Sequence, residues 1–274
     1  MSIVRPIGKI GFVGQYHSRS DQHSRTVCWA ILFDLLGESA LLRDHAASGK
    51  VIIGVNHEMG DYKAQRKKNL DLVIATPGTA DPAAKVPLTF AQLGEKFGIA
   101  LSDEELGRLR SLPEVRGGPV GSVKMALEAK ACMTAHIKAL PRLYDELNSS
   151  QLTVHGAADQ AIAAGLAMVN IATTFISSDR NPLGLDEPVK KISVHKQPDV
   201  AARTIAKLRE LPRRNRPGEE GFDALGIVVV DCPNDGTPVR LVTTPPAPGL
   251  RDDYSYDQMV RRAASQYDYR FSTL

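Results

Sequence analysis

The sequence predicts an α/β fold in which a mixed central β-sheet is flanked by helices. Apolar residues at helical spacing alternate along the chain with short apolar runs typical of strands, and no period of about 20 to 50 residues repeats. The composition agrees, because 43% hydrophobic and 24% charged residues are ordinary for a globular domain. At 274 residues one large domain or two small ones fit, and we expect a single domain over 1–274.

The first half of the chain is predicted to hold a helix, a β-hairpin and an insertion. The helix begins at Ser24, a possible N-cap, because the apolar residues that follow recur three or four positions apart. Ser102 and Glu105 have the spacing of a capping box and predict a further helix inside the insertion. The predicted ranges are strands at 51–55 and 70–75, a polar hairpin turn at 56–69, and an insertion at 76–122 with a helix at 102–112.

The second half alternates strands with helices, as a sheet covered on both faces requires. A strand that runs directly into a helix opens this half, and a proline-rich linker precedes the closing helix. The predicted ranges are a strand at 123–131, helices at 134–147 and 157–164, a strand at 166–176, a basic helix at 200–211, paired strands at 225–231 and 239–243, and a helix at 255–267.

Charge and apolar content exclude some classes of protein. No apolar run reaches the ~20 residues that span a bilayer, and the N-terminus lacks a secretory signal pattern, so we expect a cytoplasmic protein with no membrane partner. The three cysteines show no paired spacing for a disulfide or a zinc site. The formal net charge of +3 identifies no partner by itself.

Basic residues are nevertheless concentrated in two places. One is the segment 190–216, which contains nine basic and two acidic residues. The other lies in the predicted hairpin turn. Both have the character of phosphate-binding surfaces, although a solvated charged face is the alternative. The candidates for nucleic-acid contact are Lys63, Arg66, Lys67, Lys68, Arg213 and Arg214.

Three residues on neighbouring strands form the candidate catalytic group. Because strand side chains alternate, Glu128 and Lys130 lie on one face of the strand 123–131. Asp71 interrupts the apolar strand 70–75, where aspartate is disfavoured. Two carboxylates on adjacent strands can hold Mg²⁺, with Mn²⁺ as a substitute, while a lysine positions a water or neutralises a phosphate. The set therefore predicts a metal-dependent phosphodiesterase.

This arrangement resembles the PD-(D/E)xK nuclease superfamily, to which many type II restriction endonucleases belong. The resemblance covers residues 24–176 and rests on a helix, an acid on the second strand of a hairpin, and Glu-Ala-Lys on the next strand. It implies that Asp71 is the first acid, Glu128 the second and Lys130 the motif lysine, with Asp71 and Glu128 as metal ligands. Glu38 corresponds to the extra helical acid that some members use.

The resemblance also implies an organisation and a function. The core would occupy about 24–176 with the insertion at 76–122, and a basic C-terminal part would occupy 177–274. The implied function is Mg²⁺-dependent cleavage of double-stranded DNA by a homodimer, as a restriction or other defence enzyme. The sequence departs from the motif at Leu70, where the family pattern has proline.

Several alternatives stay open. Glu114 follows Pro113 and competes with Asp71 as the first acid, and His136 begins the helix after Lys130 and is a further site candidate. The same core also occurs in RNases and DNA-repair nucleases. In a non-catalytic nucleic-acid-binding protein, Glu128 and Lys130 would form only a structural ion pair.

Overall fold

The computed structural model describes residues 16–17, 21–61, 65–79, 86–181, 185 and 188–274. These residues form a mixed α/β structure in which a six-stranded sheet is flanked by helices. In chain order the elements are α1 (Gln22–Glu38), α2 (Ala40–Ala47), β1 (Ile52–Asp61), β2 (Arg66–Pro77), α3 (Phe90–Lys96), α4 (Asp103–Ser111), β3 (Val120–Cys132), α5 (His136–Ala157), β4 (Ile162–Asn170), β5 (Thr174–Ile176), β6 (Ile192–Val194), α6 (Asp199–Leu208), β7 (Ala224–Asp231), β8 (Arg240–Val242) and α7 (Tyr256–Arg270).

The sheet has the strand order β1-β2-β3-β4-β7-β8. β1, β2 and β3 form an antiparallel meander, and α5 then connects β3 to the parallel neighbour β4. β7 joins parallel to β4, and β8 closes the edge in antiparallel orientation. β5 and β6 pair separately. The predicted α/β class with a mixed, helix-flanked sheet is therefore confirmed.

Two apolar layers cover the faces of the sheet. α1, α3 and α7 contribute to one layer, and α5 and α6 contribute to the other. Met125, Leu127 and Ala129 of β3 pack in the first layer, as predicted from alternation. Regular alternation would place Val123 beside them, but it packs in the second layer, because the β2–β3 register shifts between Ile74 and Ala75.

α1 is buried around much of its circumference, because it packs against the sheet, α3 and α7. Trp29 stacks on Phe33 and Phe90, and its indole N–H donates to the Phe90 carbonyl at 2.9 Å. The helix begins at Gln22, so the predicted N-cap at Ser24 is wrong. Ser24 is buried inside the first turn, where its hydroxyl donates to the Asp21 carbonyl.

The predicted hairpin forms, but its strands are longer than predicted. β1 and β2 together include most of 56–69, which was assigned to a turn, and only 62–65 connect them. The polar residues that suggested a turn lie on strands that pack against α5 through the buried Met59 and Leu70. In the insertion, the capping box at Ser102 and α4 are confirmed, whereas α3 was not predicted.

One helix is longer than predicted, and another predicted helix does not form. α5 continues through Pro141, although a proline inside a helix removes one hydrogen bond to the residue four positions earlier and crowds its carbonyl group. The predicted helix at 157–164 is wrong, because β4 begins at Ile162. All nine residues of β4 are buried, and its alanines and glycine allow helices and side chains to cover both faces of this central strand.

The C-terminal elements appear close to their predicted places. α6, β7, β8 and α7 start or end within a few residues of the predicted ranges. Because β7 pairs with β4, the sheet extends beyond the 24–176 range expected for the core. No helix in the described ranges is long and apolar enough to cross a membrane.

A buried aspartate joins several of these elements. Asp223, just before β7, accepts hydrogen bonds from Arg214 Nε at 2.8 Å, Arg270 Nη2 at 2.5 Å, His155 Nε2 at 3.2 Å and the Ala163 N–H at 2.8 Å. Burial alone would raise the pKa of Asp223, but these donors hold it well below its usual range. The cluster therefore contributes stability above the ordinary aspartate pKa that is lost as the pH falls.

We expect Asp223→Asn to destabilise the protein by about 3 to 5 kcal/mol, because it removes the buried carboxylate that pairs with two buried guanidinium groups. Urea unfolding followed by circular dichroism measures the change. Glu58→Gln is the matched control, since Glu58 is exposed and pairs with exposed Lys67, and it should cost less than about 1 kcal/mol. Equal losses in the two variants would contradict the structural role of Asp223.

Candidate active site

The candidate site lies where β2 separates from β3. Paired residues of the two strands run from Pro77–Val120 to Leu72–Leu127, and Asp71 and Glu128 come next on their strands. Asp71 Oδ2 accepts a hydrogen bond from the Ala129 N–H at 3.0 Å. Beyond this point β2 continues beside β1, whereas β3 continues beside β4. We call this separation the fork.

β2 also changes faces at the fork. Leu72 packs in the α1 layer, but Leu70 packs in the α5 layer, although regular alternation would place both on one face. On β1, Asn56 lies between the paired residues Val55 and His57 and has φ of 51°, a left-handed conformation that asparagine tolerates. The irregularity brings side chains from both halves of β2 to the α5 side of the sheet.

Glu128 is the most buried member of the candidate group, with 2% of its side chain exposed. Its Oε1 lies 2.8 Å from Lys130 Nζ as an ion pair without hydrogen-bond alignment. Its Oε2 has no hydrogen-bond partner among the described residues. Since an unsatisfied buried carboxylate oxygen is costly, Glu128 presents an acceptor that a ligand would satisfy.

Burial raises the pKa of Glu128, and the negative charge of Asp71 adds to this increase. For Lys130, burial opposes the protonated form, but the charge of Glu128 outweighs it and raises the pKa. The exposure of each side chain explains why burial dominates the pKa of Glu128 but not that of Lys130. The Lys130 side chain is 25% exposed and loses less hydration than Glu128. Lys130 is therefore an ammonium group beside a carboxyl group that has little solvent to stabilise its charge.

The basic residues of the hairpin have different environments. Lys68 Nζ lies 3.8 Å from Glu128 Oε1 and donates to Ser149 Oγ and to the Glu146 carbonyl on α5. Burial lowers the pKa of Lys68, against the opposing charge of Glu128. Lys67 is exposed and pairs with Glu58 at 2.8 Å. Lys63 and the side chain of Arg66 lie outside the described residues.

The other acidic candidates are not brought to the fork. Glu38 is the last residue of α1 and is exposed. The α1 residue that senses the fork is Cys28, because burial raises the pKa of its thiol and the charges of Asp71 and Glu128 raise it further. Glu38 lies ten residues farther along the helix than Cys28, or about 15 Å away. Glu114 is exposed and pairs with Arg116 at 2.6 Å, before β3 begins. The structure thus places Asp71, and not Glu114, beside Glu128.

His136 also has a structural environment. It is buried at the first residue of α5, and its Nε2 lies 2.7 Å from the carbonyl oxygen of Asn170 at the end of β4. Its ring packs edge-to-face on His195. Burial lowers the pKa of His136. The side chain therefore connects α5 to β4 rather than contacting either carboxylate.

The predicted nucleic-acid contacts in the basic segment 190–216 are corrected by the fold. Arg214 is buried and pairs with Asp223, so it is unable to reach a phosphate. Arg213 packs over the Tyr254 ring and lies 3.5 Å from Asp253. Arg209 of the segment also pairs with an acid outside it, Asp252. The excess of positive charge in the sequence is therefore partly neutralised by residues that lie elsewhere in the chain.

Sequence reasoning missed the relation between Lys68 and Glu128. Regular alternation separates Lys68 from Asp71 by three positions and so predicts opposite faces. The face change near Leu70 overrides this, and no local sequence signal specifies it. The contacts of Lys68 with Ser149 also depend on how α5 packs on the hairpin.

The residues at the fork fit a hydrated cation. The described part of the chain contains no group of three or more His, Cys, Asp or Glu side chains that could hold a metal ion. Mg²⁺, however, usually keeps several waters and takes only one or two carboxylates together with substrate phosphates. Asp71 and the unsatisfied Oε2 of Glu128 are compatible with that donor set.

Comparisons with protein-family models, curated proteins and solved structures found no match.

We expect Glu128→Gln to become more stable relative to the wild type as the pH rises, in EDTA. Because the folded-state pKa of Glu128 is raised, its stabilising contribution is present below the ordinary carboxyl pKa and is lost as the pH rises through the raised value. The variant has no such titration. Urea midpoints of both proteins, measured from mildly acidic to mildly alkaline pH, test this expectation.

Millimolar Mg²⁺ should stabilise the wild type and leave Glu128→Gln nearly unchanged, because a ligand that binds only the folded state adds to its stability. Glu114→Gln is the control and should respond to Mg²⁺ like the wild type, since Glu114 lies away from the fork. A Mg²⁺ response that is identical in all three proteins would rule out Glu128 as a ligand.

Proposed function

We propose that this protein is a Mg²⁺-dependent endonuclease that hydrolyses phosphodiester bonds of double-stranded DNA, in the manner of restriction and other defence nucleases. The observation that carries the proposal is the fork itself, where Glu128 is buried with an unsatisfied oxygen, beside Lys130 and opposite Asp71. A structural ion pair would need neither the second carboxylate nor the unsatisfied oxygen.

The topology supports a restriction-endonuclease-like core. The helix α1, the antiparallel meander β1 to β3, the helix α5 and the parallel strand β4 occur in this order, with α2 before β1 and with α3 and α4 inserted between β2 and β3. The PD-(D/E)xK resemblance requires this order, with the first acid on the second strand and the Glu-x-Lys on the third. β7, β8 and α7 would then be additions that extend the core.

Each residue of the fork has a chemical task in this proposal. Asp71 and Glu128 would hold Mg²⁺, which when bound acts as a Lewis acid on the phosphate and lowers the pKa of a coordinated water. Lys130 carries its positive charge next to Glu128, where it can orient the attacking water or stabilise negative charge on the phosphate. The hydrogen bond from Ala129 fixes Asp71 opposite these groups.

The remaining features of the proposal concern the substrate and the assembly. Duplex DNA has two strands to cut, so a homodimer with two forks is the expected form of a cytoplasmic enzyme of this kind. An RNase or repair nuclease would use the same fork, and substrate tests separate these activities. A protein that binds nucleic acid without cleaving it would retain Glu128 and Lys130 only as an ion pair.

We expect Asp71→Asn, Glu128→Gln and Lys130→Met each to reduce cleavage of duplex DNA at least about a hundredfold, because each removes a charge at the reacting phosphate. Plasmid nicking and linearisation in Mg²⁺ or Mn²⁺ provide the measurement, with single-stranded DNA and RNA as parallel substrates. Glu114→Gln is the control acid and should cleave at the wild-type rate.

Three outcomes would count against parts or all of the proposal. Wild-type activity in Glu128→Gln would eliminate the mechanism, and loss of activity in Glu114→Gln with retention in Asp71→Asn would move the first acid to Glu114. Binding of DNA without cleavage in either metal would favour the non-catalytic alternative.

A further inference from the structure

Two lysines share the buried carboxylate of Glu128. Lys130 Nζ approaches Oε1 to 2.8 Å, and Lys68 Nζ lies 3.8 Å from the same atom. Lys130 belongs to β3, whereas Lys68 comes from the part of β2 beyond the fork. The second lysine is therefore present only because β2 separates from β3 and turns toward α5.

The ammonium group of Lys68 already interacts with acceptors within the protein. A lysine has three N–H donors. For Lys68, hydrogen bonds go to Ser149 Oγ at 3.0 Å and to the Glu146 carbonyl, and the charge faces Glu128. Its side chain is only 17% exposed. A phosphate of the DNA backbone would have to displace these partners before it could bind Lys68.

The charges at the fork balance without a ligand. Asp71 and Glu128 contribute two negative charges when ionised, and Lys68 and Lys130 contribute two positive ones. A divalent cation adds two positive charges, which a phosphodiester gaining negative charge during hydrolysis offsets. With Lys130 as the only lysine, both states would carry an excess negative charge.

We propose that Lys68 is a positioning residue, which holds Glu128 against α5 and competes with the metal ion for its carboxylate instead of contacting DNA. This inference rests on the proposed nuclease function. Lys68 balances the charge of Glu128 while the fork is empty and supplies one of the two lysine charges of the reacting complex. It connects the metal ligand on β3 to α5 through Ser149 and Glu146.

Lys68→Met tests the proposal, with Lys67→Met as the matched control. Lys67 is the adjacent residue of β2, but it is exposed and pairs with Glu58. Calorimetric titration of the DNA-free protein with Mn²⁺ should give a Kd at least about fivefold lower for Lys68→Met than for wild type, because a competing positive charge has been removed. Lys67→Met should bind Mn²⁺ like the wild type.

DNA measurements separate this role from phosphate binding. In EDTA, the affinity of Lys68→Met for duplex DNA should stay within about twofold of wild type, while cleavage at saturating Mg²⁺ slows about tenfold. Lys68→Arg keeps the charge and should retain the wild-type Mn²⁺ affinity. If Lys68→Met does not fold, Lys68→Gln, which keeps donors for α5 without the charge, is measured in its place.

Several results would overturn the inference. They are an unchanged or weaker Mn²⁺ affinity in Lys68→Met, and a loss of DNA affinity in EDTA as large as the loss of cleavage. A wild-type protein that binds no Mn²⁺ would overturn both this inference and the nuclease proposal. A wild-type protein that binds Mn²⁺ but cleaves no nucleic acid would overturn only the nuclease function, because the Mn²⁺ comparison does not need cleavage.

Discussion

The hydrogen bond from the Ala129 N–H to Asp71 is the contact around which the candidate site is organised. It gives a backbone donor of β3 a side-chain acceptor at the position where the β2–β3 pairing ends. Beyond this position β2 continues beside β1 toward α5, and β3 continues beside β4. The Ala129 N–H nevertheless keeps an acceptor. The separation creates room for Glu128, Lys130 and Lys68 to meet on the α5 side of the sheet.

Buried hydrogen bonds at both ends of the parallel strands stabilise the sheet in which β2 and β3 separate at the fork. Near the carboxyl ends, the buried Asn170 amide donates to the carbonyls of Met133 and Cys232 and accepts from the Cys232 N–H. Near the amino ends, Asp223 binds groups from α5, α7 and β4. These satisfied contacts fix β4 and β7 beside β3, the strand that carries the incompletely satisfied buried acid Glu128.

Local sequence patterns predicted the elements whose stability is local. The capping box at Ser102 and the amphipathic α6 and α7 are examples, since neighbouring residues determine each of them. The prediction failed at residues 157–164, where alanine favours a helix but burial on both faces selects the strand β4. Regular alternation also fails at Val123 and Leu70, because a register shift and a face change depend on the neighbouring strand.

Patterns between near neighbours predict the α/β class, the hairpin and the alternation that places Glu128 and Lys130 on one face of β3. The folded chain shows in addition that Asp71 rather than Glu114 lies beside them, that Arg214 is buried, and that Lys68 points to Glu128. These features lie beyond local patterns because backbone periodicity acts between near neighbours, whereas burial and charge pairing depend on residues that folding brings together.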